Sequence, residues 1–288
     1  MTLSLPAAAQ QVLPQHALTA LVYQLTRCRV PWAKDFLIRN FCRIYRVDLG
    51  EAELTDAGAY PSFNAFFTRA LQTGARPVDP APDALVSPVD GRVSQIGRIR
   101  DGLLVQAKGR DYSVAALLGD SPADAERFSG GSFATLYLAP HNYHRIHMPC
   151  AARLQHMRYI PGRLFSVNES SVEEIDNLFA RNERVVCTFD GPGRVVVCPV
   201  GALFVGSMET VWHGEITPAR ERHITDFDYS STAPVRDFAR GDEMGRFNMG
   251  STVILLFEEG RVEWDTKLGP GSEVRVGQRI GRLVVGRW

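Results

Sequence analysis

Two short segments hold most of the side chains able to attack a carbonyl or carry a proton. The first is Phe247-Asn248-Met249-Gly250-Ser251-Thr252, which leads into an apolar run from Val253 to Phe257. A serine after a glycine, at the head of a strand, suits an internal acyl shift. Gly250 has no side chain, so its carbonyl can be approached closely and can take strained torsions. Ser251 Oγ is held next to that carbonyl, which makes the attack intramolecular. An N→O shift would give an ester. Elimination across Cα–Cβ of Ser251 would release Gly250 as a new C-terminus, and hydrolysis of the resulting enamine would leave a pyruvoyl group. Taken alone, Gly-Ser-Thr before a strand is most often a plain turn.

The second segment runs Tyr137-Leu138-Ala139-Pro140-His141-Asn142-Tyr143-His144-Arg145-Ile146-His147-Met148-Pro149, with three of the seven histidines inside seven residues. Two chemistries compete. HxxHxxH could ligate zinc. Alternatively His144 and His147 carry protons, since imidazole titrates at about 6.5 when unperturbed. No carboxylate or cysteine stands at a metal-ligand spacing beside them, and His141 reads as an ordinary turn residue. Asp90, in Ser87-Pro88-Val89-Asp90-Gly91-Arg92, has a bland role in an Asx-type turn and a sharper one as the group that orients a histidine. Ile160-Pro161-Gly162-Arg163-Leu164-Phe165-Ser166-Val167-Asn168 could line a pocket for an anionic headgroup, with Arg163, Phe165 and Ser166 as contacts. It reads equally well as an exposed loop.

The elements that must position these groups fall into two textures. Residues 15–29 place Leu18, Leu21, Val22 and Leu25 at helical spacing. Pro31 breaks that helix and opens the next, over 32–47, where Trp32, Phe36 and Phe41 sit among arginines. A third, short helix is expected over Ser62 to Leu71, capped by Ser62 or Asn64. After the proline-rich stretch at Pro77, Pro80 and Pro82, β-branched runs alternate with glycine to the end of the chain. That pattern predicts a mainly-β sandwich or barrel, interrupted by one helix near Ser171 to Ala180. The expected class is therefore α+β: a barrel- or sandwich-like β-rich catalytic domain over 76–288, preceded by amphipathic helices within 1–75. SPVDGRVSQIGRI from Ser87 and GSEVRVGQRIGRL from Gly271 look alike, as paired hairpins would, although generic hairpin chemistry gives the same pattern.

Composition narrows the function classes. With 288 residues, 45% of them apolar, the chain can bury a large core. Its formal net charge of zero gives no sign of nucleic-acid binding. The charge is uneven, however: Arg27, Arg29, Lys34, Arg39, Arg43 and Arg46 face only Asp35 and Asp48 in residues 1–50. Five cysteines without a CxxC spacing argue against a disulfide framework and for small buried residues. No apolar stretch approaches the roughly 20 residues of a membrane span, and MTLSLPAAAQQVLPQ lacks a basic n-region, so no signal peptide is expected. The reading is a soluble protein or one lying on a membrane surface.

Together, SPVDGRV, YHRIHMPC, PGRLFSVN and MGST, in this order and at these separations, resemble the bacterial phosphatidylserine decarboxylases, over nearly the whole chain. One departure is Met249, where the family's motif has leucine; the two are close in volume, so cleavage is expected to survive. The resemblance implies a self-cleavage triad with Ser251 as nucleophile, His147 as general base and Asp90 as orienter. It implies a β chain of residues 1–250, an α chain of 251–288 that pairs with it, and a pyruvoyl cofactor derived from Ser251. That carbonyl would form a Schiff base with the serine amine of phosphatidylserine and act as the electron sink for loss of CO2. His144 is implied as the proton donor that follows. A bilayer substrate implies a peripheral enzyme, at the cytoplasmic face of the bacterial inner membrane. The N-terminal helices would lie in the interface or pack on the β domain or a second subunit.

Two other classes stand beside this one. A zinc peptidase would rest on the histidine cluster. A carrier module would rest on the look-alike hairpins, but residues 87–99 and 271–283 contain no lysine to carry lipoate or biotin.

Overall fold

The structure, a computed structural model, describes residues 6–204, 207–217, 223–231, 234–248 and 252–284. Helices come first: α1 (Ala7–Val12), α2 (Gln15–Thr26), α3 (Pro31–Tyr45) and α4 (Phe63–Phe67). Pro31 sits in the first turn of α3, as its missing N–H allows. Ser62 caps α4, accepting the Ala65 N–H at 3.2 Å. This helix is shorter than expected. Thr68 turns its hydroxyl back onto the Asn64 carbonyl, and Leu71 leaves to form a bridge with Ala52.

The first two long helices are amphipathic in an unusual sense. On α2 the buried residues are Gln15, Thr19 and Thr26, while Leu21 and Leu25 are 66% and 50% exposed. On α3, Trp32, Phe36 and Ile44 face outward while Lys34 and Ile38 are buried. Ile38 joins Tyr60, Phe63, Phe66 and Phe67 in a small aromatic cluster separate from the main core.

The rest of the fold is mainly sheet, with a few one-turn helices between strands. Its strands are β1 (Ala84–Val86), β2 (Gly91–Arg98), β3 (Leu103–Ala107), β4 (Arg110–Ser113), β5 (Ser132–Tyr137), β6 (Arg145–His147), β7 (Ala152–Ile160), β8 (Arg184–Gly191) and β9 (Gly193–Val200). They continue as β10 (Met208–Thr210), β11 (Gly214–Glu215), β12 (Thr225–Asp228), β13 (Asp237–Phe238), β14 (Glu243–Phe247), β15 (Thr252–Phe257), β16 (Val262–Trp264), β17 (Glu273–Val274) and β18 (Arg279–Leu283). The largest sheet runs β12-β7-β8-β9-β15-β5-β2-β17, with β13 also on β7. It is open at both ends, so the architecture is sandwich-like without a closed barrel. Strand β15 lies near its middle, between β9 and β5, and all six of its residues are buried. An unbroken apolar run of this kind is what a strand covered on both faces requires.

The two look-alike segments pair with each other. β2 is antiparallel to β17 through Arg92↔Glu273 and Gly91↔Val274, and β1, just ahead of the first segment, is antiparallel to β18 in the second. Two short helices, Glu169–Glu174 and Leu178–Arg181, replace the single one expected near residues 171–180. All five cysteines are free, and Cys150, Cys187 and Cys198 are buried.

Candidate active site

Strand β6 carries His147, and His144 immediately precedes it. The strand pairs with β14, placing His147 opposite Glu243 and Arg145 opposite Arg246. The pairing extends one step past the strand, since the Phe247 N–H donates to the His144 carbonyl at 3.0 Å. β14 then leads through Asn248 toward β15. Met249, Gly250 and Ser251, the proposed cleavage segment, lie outside the described residues. Thr252, on its far side, is fixed between Tyr137 of β5 and Val200 of β9.

His147 is fully committed. Its Nδ1 lies 2.8 Å from the Gly241 carbonyl, which can only accept, so Nδ1 carries the proton. Its Nε2 then accepts from the Tyr143 hydroxyl at 3.0 Å. Burial lowers its pKa, outweighing the backbone bond to Gly241 and the nearby Glu243 carboxylate, which favour the charged form. A neutral imidazole of defined tautomer, with a basic Nε2, is what a general base needs. Gly241 presents its carbonyl from a left-handed conformation, φ +90.

His144 is the opposite case. It is completely buried, and neither ring nitrogen has a hydrogen-bond partner among the described residues. The Phe67 ring of α4 packs on it with centroids 4.0 Å apart. Burial first, then the positive charge of Arg69, push its pKa well below the ordinary histidine value. Arg69 is itself buried and is held by the His141 carbonyl at 3.1 Å. His141 is exposed. No group of three or more His, Cys, Asp or Glu side chains that could hold a metal occurs among the described residues.

Asp90 departs from its expected contact. No hydrogen bond joins it to His147. Its oxygens are taken by Arg76, through Nε at 2.9 and 3.0 Å and Nη2 at 2.6 Å, and by the Val276 N–H at 2.9 Å. The orienting acceptor on His147 is the Gly241 carbonyl, and Asp90 acts on the imidazole only as a nearby negative charge. Gly91 beside it is needed for close approach: a Cβ there would stand 2.3 Å from the Tyr137 carbonyl oxygen. Asp90, Arg76, Arg69, Arg92, Arg275 and Tyr143 border one open cleft of about 650 Å3.

The Arg163 loop also differs from expectation. Arg163 donates to Gln15 Oε1 at 3.1 Å and to the Gln11 carbonyl at 2.8 Å, so its guanidinium docks α1 and α2. Phe165 is fully buried, and the Ser166 N–H donates to Gln10 Oε1. Arg163 and Ser166 hold the helices to the sheet while Phe165 joins the main core; of this stretch only Asn168 and Glu169, farther along, reach the cleft. Residues missed from sequence are Phe67, Arg76, Tyr143 and Gly241. Tyr143 stood within the quoted histidine segment. Arg76 stood in what read as a linker, and only the fold brings it to Asp90.

Fold and site define a β-rich protein with one committed and one sealed imidazole at a short strand paired to the strand that leads into a buried central strand. The profile of the phosphatidylserine decarboxylase family matches residues 63–282, and a second profile, described as PSD, matches residues 5–46. Proteins named phosphatidylserine decarboxylase proenzyme are similar over nearly the full length. The one from Pseudomonas fluorescens is 51% identical, covering 95% of each chain. The one from Methylococcus capsulatus is 50% identical, covering 96% of this chain and 95% of its own. The one from Nitrosococcus oceani is 52% identical, covering 96% and 90%. This chain belongs to the phosphatidylserine decarboxylase family.

Proposed function

We propose that the chain is made as a precursor that cuts itself between Gly250 and Ser251, and that the two resulting chains together decarboxylate phosphatidylserine to phosphatidylethanolamine. The observation that carries this reading is the pairing of β6 with β14. It ties both histidines to the strand leading into the cleavage segment. His147 Nε2 takes the Ser251 hydroxyl proton once Tyr143 yields it, and Gly241 keeps the tautomer fixed. Asp90, clamped by Arg76, favours the imidazolium that forms.

A pyruvoyl group at residue 251 would supply the electron sink for decarboxylation. The surroundings suit it. Among the described residues, both nitrogens of His144 and the buried Oγ1 of Thr252, the residue next in sequence, have no hydrogen-bond partner. Unsatisfied buried polar groups are costly and are retained where function uses them. His144, shielded by Phe67, would take up the proton that the substrate's ammonium must lose in order to react and return it to the product carbon, in a site that excludes water.

The outward apolar residues of α2 and α3, flanked by Arg29, Arg39 and Arg43, suit a helix pair lying at an anionic lipid surface. No helix among the described residues is long and apolar enough to cross a membrane. We place the enzyme peripherally, at the cytoplasmic face of the inner membrane. Wild-type protein should run as two chains and Ser251→Ala as one. A wild-type chain that is active and uncut contradicts the reading. Binding to phosphatidylserine vesicles should fall several-fold in Trp32→Ser/Phe36→Ser; unchanged binding would leave the helices a packing role only.

A further inference from the structure

The mechanism above leaves one buried polar cluster unused, and it lies just before the cleavage segment. Asn248 is 2% exposed, and Ser207 is fully buried. The Asn248 N–H donates to the Ser207 carbonyl at 2.9 Å. Its side-chain Nδ2 donates to Ser207 Oγ, and its Oδ1 accepts from Asn64 Nδ2 at 3.1 Å. Ser207 Oγ in turn donates to Glu215 Oε1 at 2.6 Å. Glu215 also accepts from Arg27 Nη2 at 2.5 Å and from the Tyr23 hydroxyl at 2.9 Å, the C-cap and a residue of α2. Every polar atom of the Asn248 side chain is used, and the Ser207 hydroxyl has its direction set by an anion. Asn64 Oδ1 is left without a partner among the described residues, but each polar atom of the Asn248 side chain is paired, and such pairing restrains the backbone at this point.

A sheet edge alone would not need it. β14 is already paired on both sides, by β10 and β6. The added contacts sit where β14 ends, two residues before Gly250. On the other side, Thr252 is locked between β5 and β9. We propose that Asn248, held by Ser207 and Asn64, is a positioning residue for self-cleavage, fixing the chain on the N-terminal side of the Gly250–Ser251 bond while β15 fixes the C-terminal side. The inference rests on the self-cleavage reading. Its physical reason is that intramolecular attack depends on near-attack geometry, and a misplacement of about 1 Å can cost about 100-fold.

The test follows maturation of freshly made full-length precursor by intact mass, with and without hydroxylamine. Hydroxylamine attacks an ester, leaving a Gly250 hydroxamate and returning the Ser251 hydroxyl, but leaves the amide intact. Asn248→Ala should mature about 100-fold more slowly, and hydroxylamine should not restore chain breakage, because the ester does not form. Asn64→Ala, at a less buried position, should slow maturation roughly fivefold, the equivalent of one hydrogen bond, with an unchanged melting temperature. Folded Asn248→Ala and Asn64→Ala precursors that mature at the wild-type rate overturn the proposal. So does hydroxylamine breaking Asn248→Ala at the wild-type rate, since the acyl shift would then be intact. A wild-type chain that never cuts removes the self-cleavage reading as well; one that cuts alongside normally maturing variants removes the clamp alone.

Discussion

Two histidines three residues apart on one stretch of chain meet opposite surroundings. His147 has a partner on each nitrogen, Gly241 and Tyr143, and borders a polar cleft through that tyrosine. Among the described residues His144 has none, and it lies sealed beneath Phe67. Both are held toward the neutral form, chiefly by burial. The difference is in what each nitrogen is free to do. A histidine with a fixed tautomer is prepared to accept one proton at one place. A histidine without partners is prepared for a group that forms later, which accounts for a buried polar side chain left unsatisfied.

The largest effects should come from removing each ring. His147→Ala should leave the precursor uncut, whereas His144→Ala should cut normally and lose about 100- to 10,000-fold in decarboxylation, the range for a general acid–base group. Gel mobility and CO2 release separate the two. Identical defects in both variants would erase the contrast. The next effect is on stability. Below about pH 6.5 the unfolded chain protonates these histidines while the folded protein resists it. Folding stability is therefore complete above that value and declines as pH falls, by up to about 1.4 kcal/mol per pH unit for each group. Urea midpoints at pH 7.5 and 5.5 should differ less in His144→Phe than in wild type; an unchanged slope would mean that His144 is not held neutral. The smallest effect tests the committed side. Tyr143→Phe removes the donor on His147 Nε2, costing about 1 kcal/mol of stability while leaving self-cleavage as fast or a few-fold faster. Slower cleavage would make the tyrosine part of the proton path.

The sequence showed the chemistry more clearly than its supports. Glycine-bounded β-branched runs marked β2, β5, β8, β9 and β15, because each buries consecutive apolar residues or alternates cleanly. Strand β7 escaped notice, as Arg153, Gln155 and Arg158 alternate with its buried apolar residues and a bulge shifts that alternation between Leu154 and His156. The short strands β10 to β14 carry too few residues for a pattern. His144, His147 and Asp90 were visible as residue types in motifs. Their partners were not. Arg76 reaches Asp90 across a gap of fourteen residues, and Gly241 reaches His147 across ninety-four, through folding alone. Helix spacing predicted α2 and α3 but not that α2 would turn its glutamine and threonine side inward. Those contacts depend on Gln10 and Gln15 meeting the 162–166 loop, which is a tertiary match.

Intact mass spectrometry of purified, catalytically active protein addresses the central claim most directly. Two polypeptides are expected, one ending at Gly250 and one beginning at residue 251 with an α-keto group in place of the serine amine. A single unbroken chain that still decarboxylates phosphatidylserine would contradict the account.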